Sequence, residues 1–189
     1  MNGESGGVYI ATVVSGKLDE QGRIGIEIPS KSSSYQAYFA SAMAGKDRGL
    51  VFLPDKGDQV VVAFVNGQPG MPVVLGALWS NVAKPPIDNA DGKNNVKLIR
   101  TRSGHQIRLT DEQGKEAIEV IDSTGKNKVV IDAANKKIEI SCDGDVSVHG
   151  KKITLDGDVH VTGKAAFDKE VAIGTGPKTI IDRNEIKGQ

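Results

Sequence analysis

"VSVHGKKITLDGDVHVTG", residues 146–163, is the stretch on which the reading of the whole chain turns. Apolar side chains alternate as Val146/Val148, Ile153/Leu155 and Val159/Val161, and short loops holding Gly150 and Gly157 cut the pairs apart. A period of two residues marks a strand with one dry face and one wet face. Each fragment is too small to bury anything alone, so each needs an outside surface to pack against.

Working backwards, the same pattern reaches residue 107. The earlier pairs are Ile107/Leu109, Ile118/Val120, Val129/Ile131 and Ile138/Ile140. Between pair members stand Arg108, Glu119, Val130, Glu139, Ser147, Thr154 and His160, of which only Val130 is apolar. The connecting segments shrink from eight residues in "TDEQGKEA" (110–117) to three in "DGD" (156–158). Each carries Gly, or Asn135 in its place, as tight turns need. Start-to-start spacing runs 11, 11, 9, 8, 7, 6.

A monomeric solenoid needs a constant period so that coil stacks on coil. A meander of hairpins would make a poor two-sided core from two-residue apolar segments. Three identical chains wound round one axis escape both problems, because each pair meets its own copies at the same height whatever the next loop length. This reading places Ile107, Leu109, Ile118, Val120, Val129, Ile131, Ile138, Ile140, Val146, Val148, Ile153, Leu155, Val159 and Val161 in the core of a homotrimer. Burying these side chains does not by itself repay the entropy of ordering the segment, so folding and trimerisation are expected to be one event.

Residues 8–80 differ in style, with longer strands and varied turns. "VYIATVVSG" and "GRIGIEIPS" alternate and flank "GKLDEQG", which predicts a hairpin. "DKGDQVVVAFVNGQPGMPVVLGALW" predicts a second, with strands at 59–65 and 72–79 around the turn cluster "NGQPG" (66–70). Gly76 inside the return strand predicts a bulge or barrel corner where a side chain would not fit. "YQAYFASAMAG" (35–45) fits strand or short helix equally. About five antiparallel strands in this length predict a small closed barrel. "NVAKPPIDNADGKNN" (81–95) lacks periodicity, and Pro85 and Pro86 impose an extended path, so it reads as a linker. The expected organisation is all-β: a flexible N-terminus at 1–7, a barrel at 8–80, the linker at 81–95, a shaft at 96–163, and a tip or cap-binding segment at 164–189.

Composition excludes several functions. Lys plus Arg and Asp plus Glu both number 24 in 189 residues, which argues against a general nucleic-acid or anionic-membrane binder. No apolar run approaches the roughly 20 residues of a membrane span. "MNGESGGVYI" lacks a signal-peptide layout. The single cysteine, Cys142, excludes an internal disulfide framework and fits synthesis in a reducing cytoplasm.

A barrel carrying "FLPDKGDQVVVAFVNGQPGMPVVLGALW" (52–79), then "KNNVKLIRTRSGHQIRLTDEQGKEAIEVID" (93–122), then a valine- and glycine-rich strand repeat, resembles the central spike of contractile injection machines. That family includes VgrG-type spikes of type VI secretion, contractile phage baseplate spikes and the spikes of extracellular injection systems. The likeness covers about residues 8–163, and its specificity lies in the combination of the barrel motif with "SGHQIRLTDEQGKE" (103–116). It implies an OB-fold barrel followed by an intertwined triple-stranded β-helix at the centre of a baseplate. It further implies a chain made in the cytoplasm, assembled into a phage virion or injection particle, and driven to or through the target envelope. Only "MNGESGG" precedes the barrel, so the hub is expected to be a separate protein or to have been cut away. The missing lysozyme-like insertion between barrel and shaft implies no murein cleavage.

Candidate sites are weighed against plainer roles. Tyr9, Tyr35, Tyr38, Phe39, Phe52, Phe64 and Trp79 lack the basic cluster that single-strand binding needs, so core or interface roles are expected. Some phage spikes hold a tip ion in a His-x-His motif. That motif is missing here, and alternation turns His149 and His160 outward, so no cofactor is expected; these two are the sole candidates for a tip iron or zinc. "DGD" reads as a turn rather than a calcium loop, "HGKK" and "GTGPK" lack P-loop spacing, and no nucleophile–base set is found. The tail from Lys164 offers Val171/Ile173 as one more rung and Gly174–Pro177 as a turn. Open apolar ends would be adhesive, so a separate cap of the PAAR-repeat type is the expected partner there, with the hub at the barrel end and transient contact with the target membrane. The alternative is a monomeric OB-fold binding module with a solenoid tail. A left-handed solenoid acyltransferase fails for want of a regular six-residue repeat and a catalytic His in a cleft.

Overall fold

The computed structural model describes residues 7–68 and 70–168. Most of the 1–7 segment and, within the tail, the Val171/Ile173 rung and the Gly174–Pro177 turn lie outside the described residues. The chain divides into two units, Met1–Asp143 and Gly144–Gln189.

The first unit opens with the barrel. Strands β1 (Val8–Ser15), β2 (Arg23–Ile28), β3 (Ser33–Phe39), β6 (Gln59–Phe64) and β7 (Pro72–Leu78) close in the order β1-β2-β3-β7-β6. All pairs are antiparallel except β3 with β7, where Tyr38 and Phe39 run parallel to Val73 and Val74. Alternation places Ala11, Val13, Ile24, Ile26, Ile28, Ala37, Val60, Val62, Phe64 and Val74 in one core, and Tyr9, Tyr35, Phe39 and Leu53 pack against it. Tyr9 and Tyr35 meet the Phe64 ring edge-on, each with centroids 5.5 Å apart. Tyr38, Phe52 and Trp79 are exposed.

Both expected hairpins form. Asp19 shapes the first turn by accepting from the Gln21 and Arg23 amides at 2.9 Å and from Arg23 Nε at 2.8 Å. These bonds, led by the Arg23 amide, hold its carboxyl below the usual range. In the second hairpin Asn66 takes a left-handed φ of 49°. The register slips between Val61 and Val62, opposite Gly76 and Val74, leaving Leu75 as the extra residue. The bulge predicted at Gly76 is present, but its reason needs correction: a Cβ there would meet nothing within 4 Å. The 35–45 stretch resolves as strand to Phe39, followed by the small pair β4 (Ala44–Gly45) and β5 (Arg48–Gly49).

Beyond the strandless segment 79–95 lies a five-stranded antiparallel sheet. It comprises β8 (Val96–Arg100), β9 (Gln106–Thr110), β10 (Ala117–Ile121), β11 (Lys128–Asp132) and β12 (Lys137–Ser141), in chain order across the sheet. This is the hairpin meander that the sequence pattern disfavours, and it corrects the pairing expected for these rungs. Ile118 lies beside Leu109 and Ile131 of its own chain. The loops are long enough to close locally because aspartates organise them. Asp122 accepts from the Thr124 and Asn127 backbone amides and from both side chains, and Asp132 accepts from the Asn135 amide and side chain. Gly114 and Gly125 supply left-handed turn positions at φ 78° and 75°.

The second unit is different. Its described residues, 144–168, form no strand, and Val146, Val148, Ile153, Leu155, Val159 and Val161 are all exposed.

Candidate interaction surface

In an antiparallel sheet, directly opposed residues share a face. Register therefore gathers Ile99, Ile107, Leu109, Ile118, Val120, Val129, Ile131, Ile138 and Ile140 on one side of the meander. Lys97, opposite Leu109, is the charged residue on that face, and its ammonium turns to Asp111 and the Asn94 carbonyl. Alternation identifies eight of these positions. Ile99 escapes it because "VKLIR" carries apolar residues on both faces; its match to Ile107 is the signal that places it.

This apolar face is bare. All nine residues are exposed, up to 70% at Ile138. On the opposite face, Arg108, Glu119, Lys128, Val130 and Glu139 are half-buried. There Arg108 Nε lies 3.8 Å from Glu119 Oε2, and Lys128 Nζ 3.8 Å from Glu139 Oε1. Glu139 also bonds the Lys137 ammonium and accepts from Ser141 Oγ. The Lys137 hydrogen bond, the Ser141 hydroxyl and the positive charges of Lys137 and Lys128 lower its carboxyl to about 2. The sheet thus carries its ion pairs on the better-covered face and its hydrocarbon in water, the reverse of a finished single-chain layer. Exposed apolar patches of this extent mark interaction surfaces.

At the margin nearest the barrel, a cavity of about 630 Å³ is lined by Phe52 together with Ile99, Ile107, Val120, Val129 and Ile140. Phe52 and Val51 come from the loop after β5. Asp55 in that loop pairs with Arg102 of the β8–β9 turn at 3.0 Å. From the same β8–β9 turn, His105 accepts the Ser123 amide at its Nδ1, at 3.2 Å.

The other candidate residues do not converge on a chemical site. His149 and His160 are both exposed, in the second unit. Among the described residues, no group of three or more His, Cys, Asp or Glu side chains is placed to hold a metal ion. Cys142 is exposed, just beyond β12.

Residues 9–79 match the type VI secretion system/phage-baseplate injector OB domain. The barrel is thus similar to an injector OB domain over its whole length. Relatives extend the likeness: "Actin cross-linking toxin VgrG1" of Vibrio cholerae is 30% identical over 128 residues, covering 59% of this chain and 12% of its own length. "Type VI secretion system spike protein VgrG3" of Vibrio cholerae is 28% identical, with 59% and 13% covered. "Type VI secretion system spike protein VgrG1a" of Pseudomonas aeruginosa is 23% identical, with 64% and 21% covered. Each covers more of the chain than the barrel alone, so the similarity to VgrG-type spikes extends past the OB domain. The chain spans only about an eighth to a fifth of these relatives' own lengths.

Proposed function

We propose that this protein is a structural subunit of a contractile injection spike, acting as a homotrimer. The observation that carries the reading is the bare aliphatic face of β8–β12, followed in the sequence by alternating apolar pairs that form no strand among the described residues. Three copies brought together supply each sheet with its second layer and give residues 146–161 the neighbours they lack. The assembly has two parts. Residues 96–141 contribute one sheet from each chain around the axis, and residues 146–161 intertwine as a triple-stranded β-helix. A seam of interchain hydrogen bonds around a dry core resists bending, because no strand leaves without breaking its neighbours.

The role is mechanical and needs no catalytic group or cofactor. The barrels would form a collar on a baseplate hub, the shaft would pass through the target envelope with transient membrane contact, and a PAAR-type protein would close the C-terminal end. Synthesis in the cytoplasm would precede assembly into the particle. Sedimentation of the full chain in dilute buffer tests the reading. A species of three times the chain mass is expected. A compact, folded monomer would overturn it in favour of a monomeric OB-fold binding module.

A further inference from the structure

We infer that the barrel loop at Val51 and Phe52 is part of the interface between copies, with the three Phe52 rings meeting near the common axis and closing the barrel end of the shaft's apolar core. This rests on the threefold reading above and deepens it. Phe52 lines the same cavity as Ile99, Ile107, Val120, Val129 and Ile140, so it stands on the apolar side of the sheet. Whatever turns that side toward the axis brings Phe52 with it.

The loop is held in place while its apolar side chains are left out. Ser41 Oγ donates to the Leu50 carbonyl at 2.7 Å, and the Leu50 amide donates to the Met43 carbonyl at 2.9 Å. The Asp55 amide donates to Asp58 Oδ2 at 2.8 Å, and Asp55 pairs with Arg102. Between these anchors Val51 is 74% exposed and Phe52 61% exposed. A phenyl ring fixed at the edge of an aliphatic face extends that face without a break. A second copy is the occupant that matches it, because the apolar face that Phe52 borders is left exposed by its own chain, and the unequally spaced pairs that follow in the sequence find equivalent neighbours only in other copies.

The experiment uses the full chain with Cys142→Ser, so that an introduced thiol is the sole one. Phe52→Cys is oxidised with copper phenanthroline and compared with Gln36→Cys, an exposed position on β3 beside Lys17, Asp19 and Glu20. Three thiols near one axis can join only in a pair, so about two-thirds of the Phe52→Cys chains should run as disulfide-linked dimers. The Gln36→Cys chains should stay unlinked. A chain that sediments as a trimer yet leaves Phe52→Cys unlinked overturns this inference alone. Linkage of Gln36→Cys at the same rate overturns it as chance collision. A parent Cys142→Ser chain that sediments as a folded monomer overturns the threefold reading, and this inference with it.

Discussion

The barrel and the meander are built from the same five-strand count and the same alternation, yet only one of them is dry. In the barrel, Ile24, Ile26, Val60 and Val62 are fully buried, because the sheet closes and its inner face becomes its own second layer. In the meander, Ile107, Ile118, Val129 and Ile138 sit on an open sheet and stay wet. Alternation fixes which residues share a side. Closure decides whether that side meets protein or solvent. Within a single chain, the barrel's inner face is therefore buried and the meander's apolar face is not.

The sharpest way to break this contrast is Ile138→Asp. In the proposed assembly it places three carboxylates at one level of the core. Complete loss of the trimer is expected by analytical ultracentrifugation, while the barrel keeps its fold by circular dichroism. A normal trimer would remove Ile138 from the interface. Ile26→Ala does the reverse, since its cost falls inside one chain. About 2–5 kcal/mol of barrel stability should be lost in denaturant titration, with the mass at low denaturant unchanged. Gly114→Ala probes the meander's turn: at φ 78° with open space around it, the cost is purely backbone, about 1–2 kcal/mol.

Two smaller effects sharpen the comparison. Glu139 has its carboxyl lowered from 4.5 to about 2 in the fold. Its contribution is therefore present above the unfolded value and lost as pH falls toward about 2. Denaturation midpoints measured through this window should fall more steeply for the parent chain than for Glu139→Gln. The effect should be modest, because the group lies at the surface and solvent screens its ion pairs. Last, Gly76→Ala in the barrel should be near neutral, with up to about 1 kcal/mol of stabilisation, because φ there is outside the left-handed region and the space is open. A large loss would show that another chain approaches the barrel at Gly76.

Much of the fold is legible in the residue pattern alone. Period-two alternation locates the barrel hairpins and the apolar face of four of the five meander strands, β8 excepted, and glycines mark most of the turns. Partner choice is less legible, because alternation says which way Ile118 faces but not whether its neighbour is Leu109 of the same chain or a copy of itself. The shrinking loops argue against hairpins as long as only their lengths are considered. Through Ser141 the aspartate-centred bonds of Asp122 and Asp132 close them locally. The parallel closure of β3 on β7 rests on two residue pairs far apart in the chain, which no local pattern announces. Phe52 is expected from sequence only to serve as core or interface; the small β4–β5 pair before it and its 61% exposure decide between the two.

The strandless stretch from Gly144 to residue 168 has a consequence for biosynthesis. Ribosomes deliver the barrel first, and a closed barrel can settle while the remainder is still being made. In the proposed assembly the later residues would wait for sibling chains, and maturation would become a meeting problem rather than a search within one polypeptide. Its kinetic signature is a refolding phase that quickens as protein concentration rises, and neighbouring nascent chains on one messenger would supply that crowd at birth.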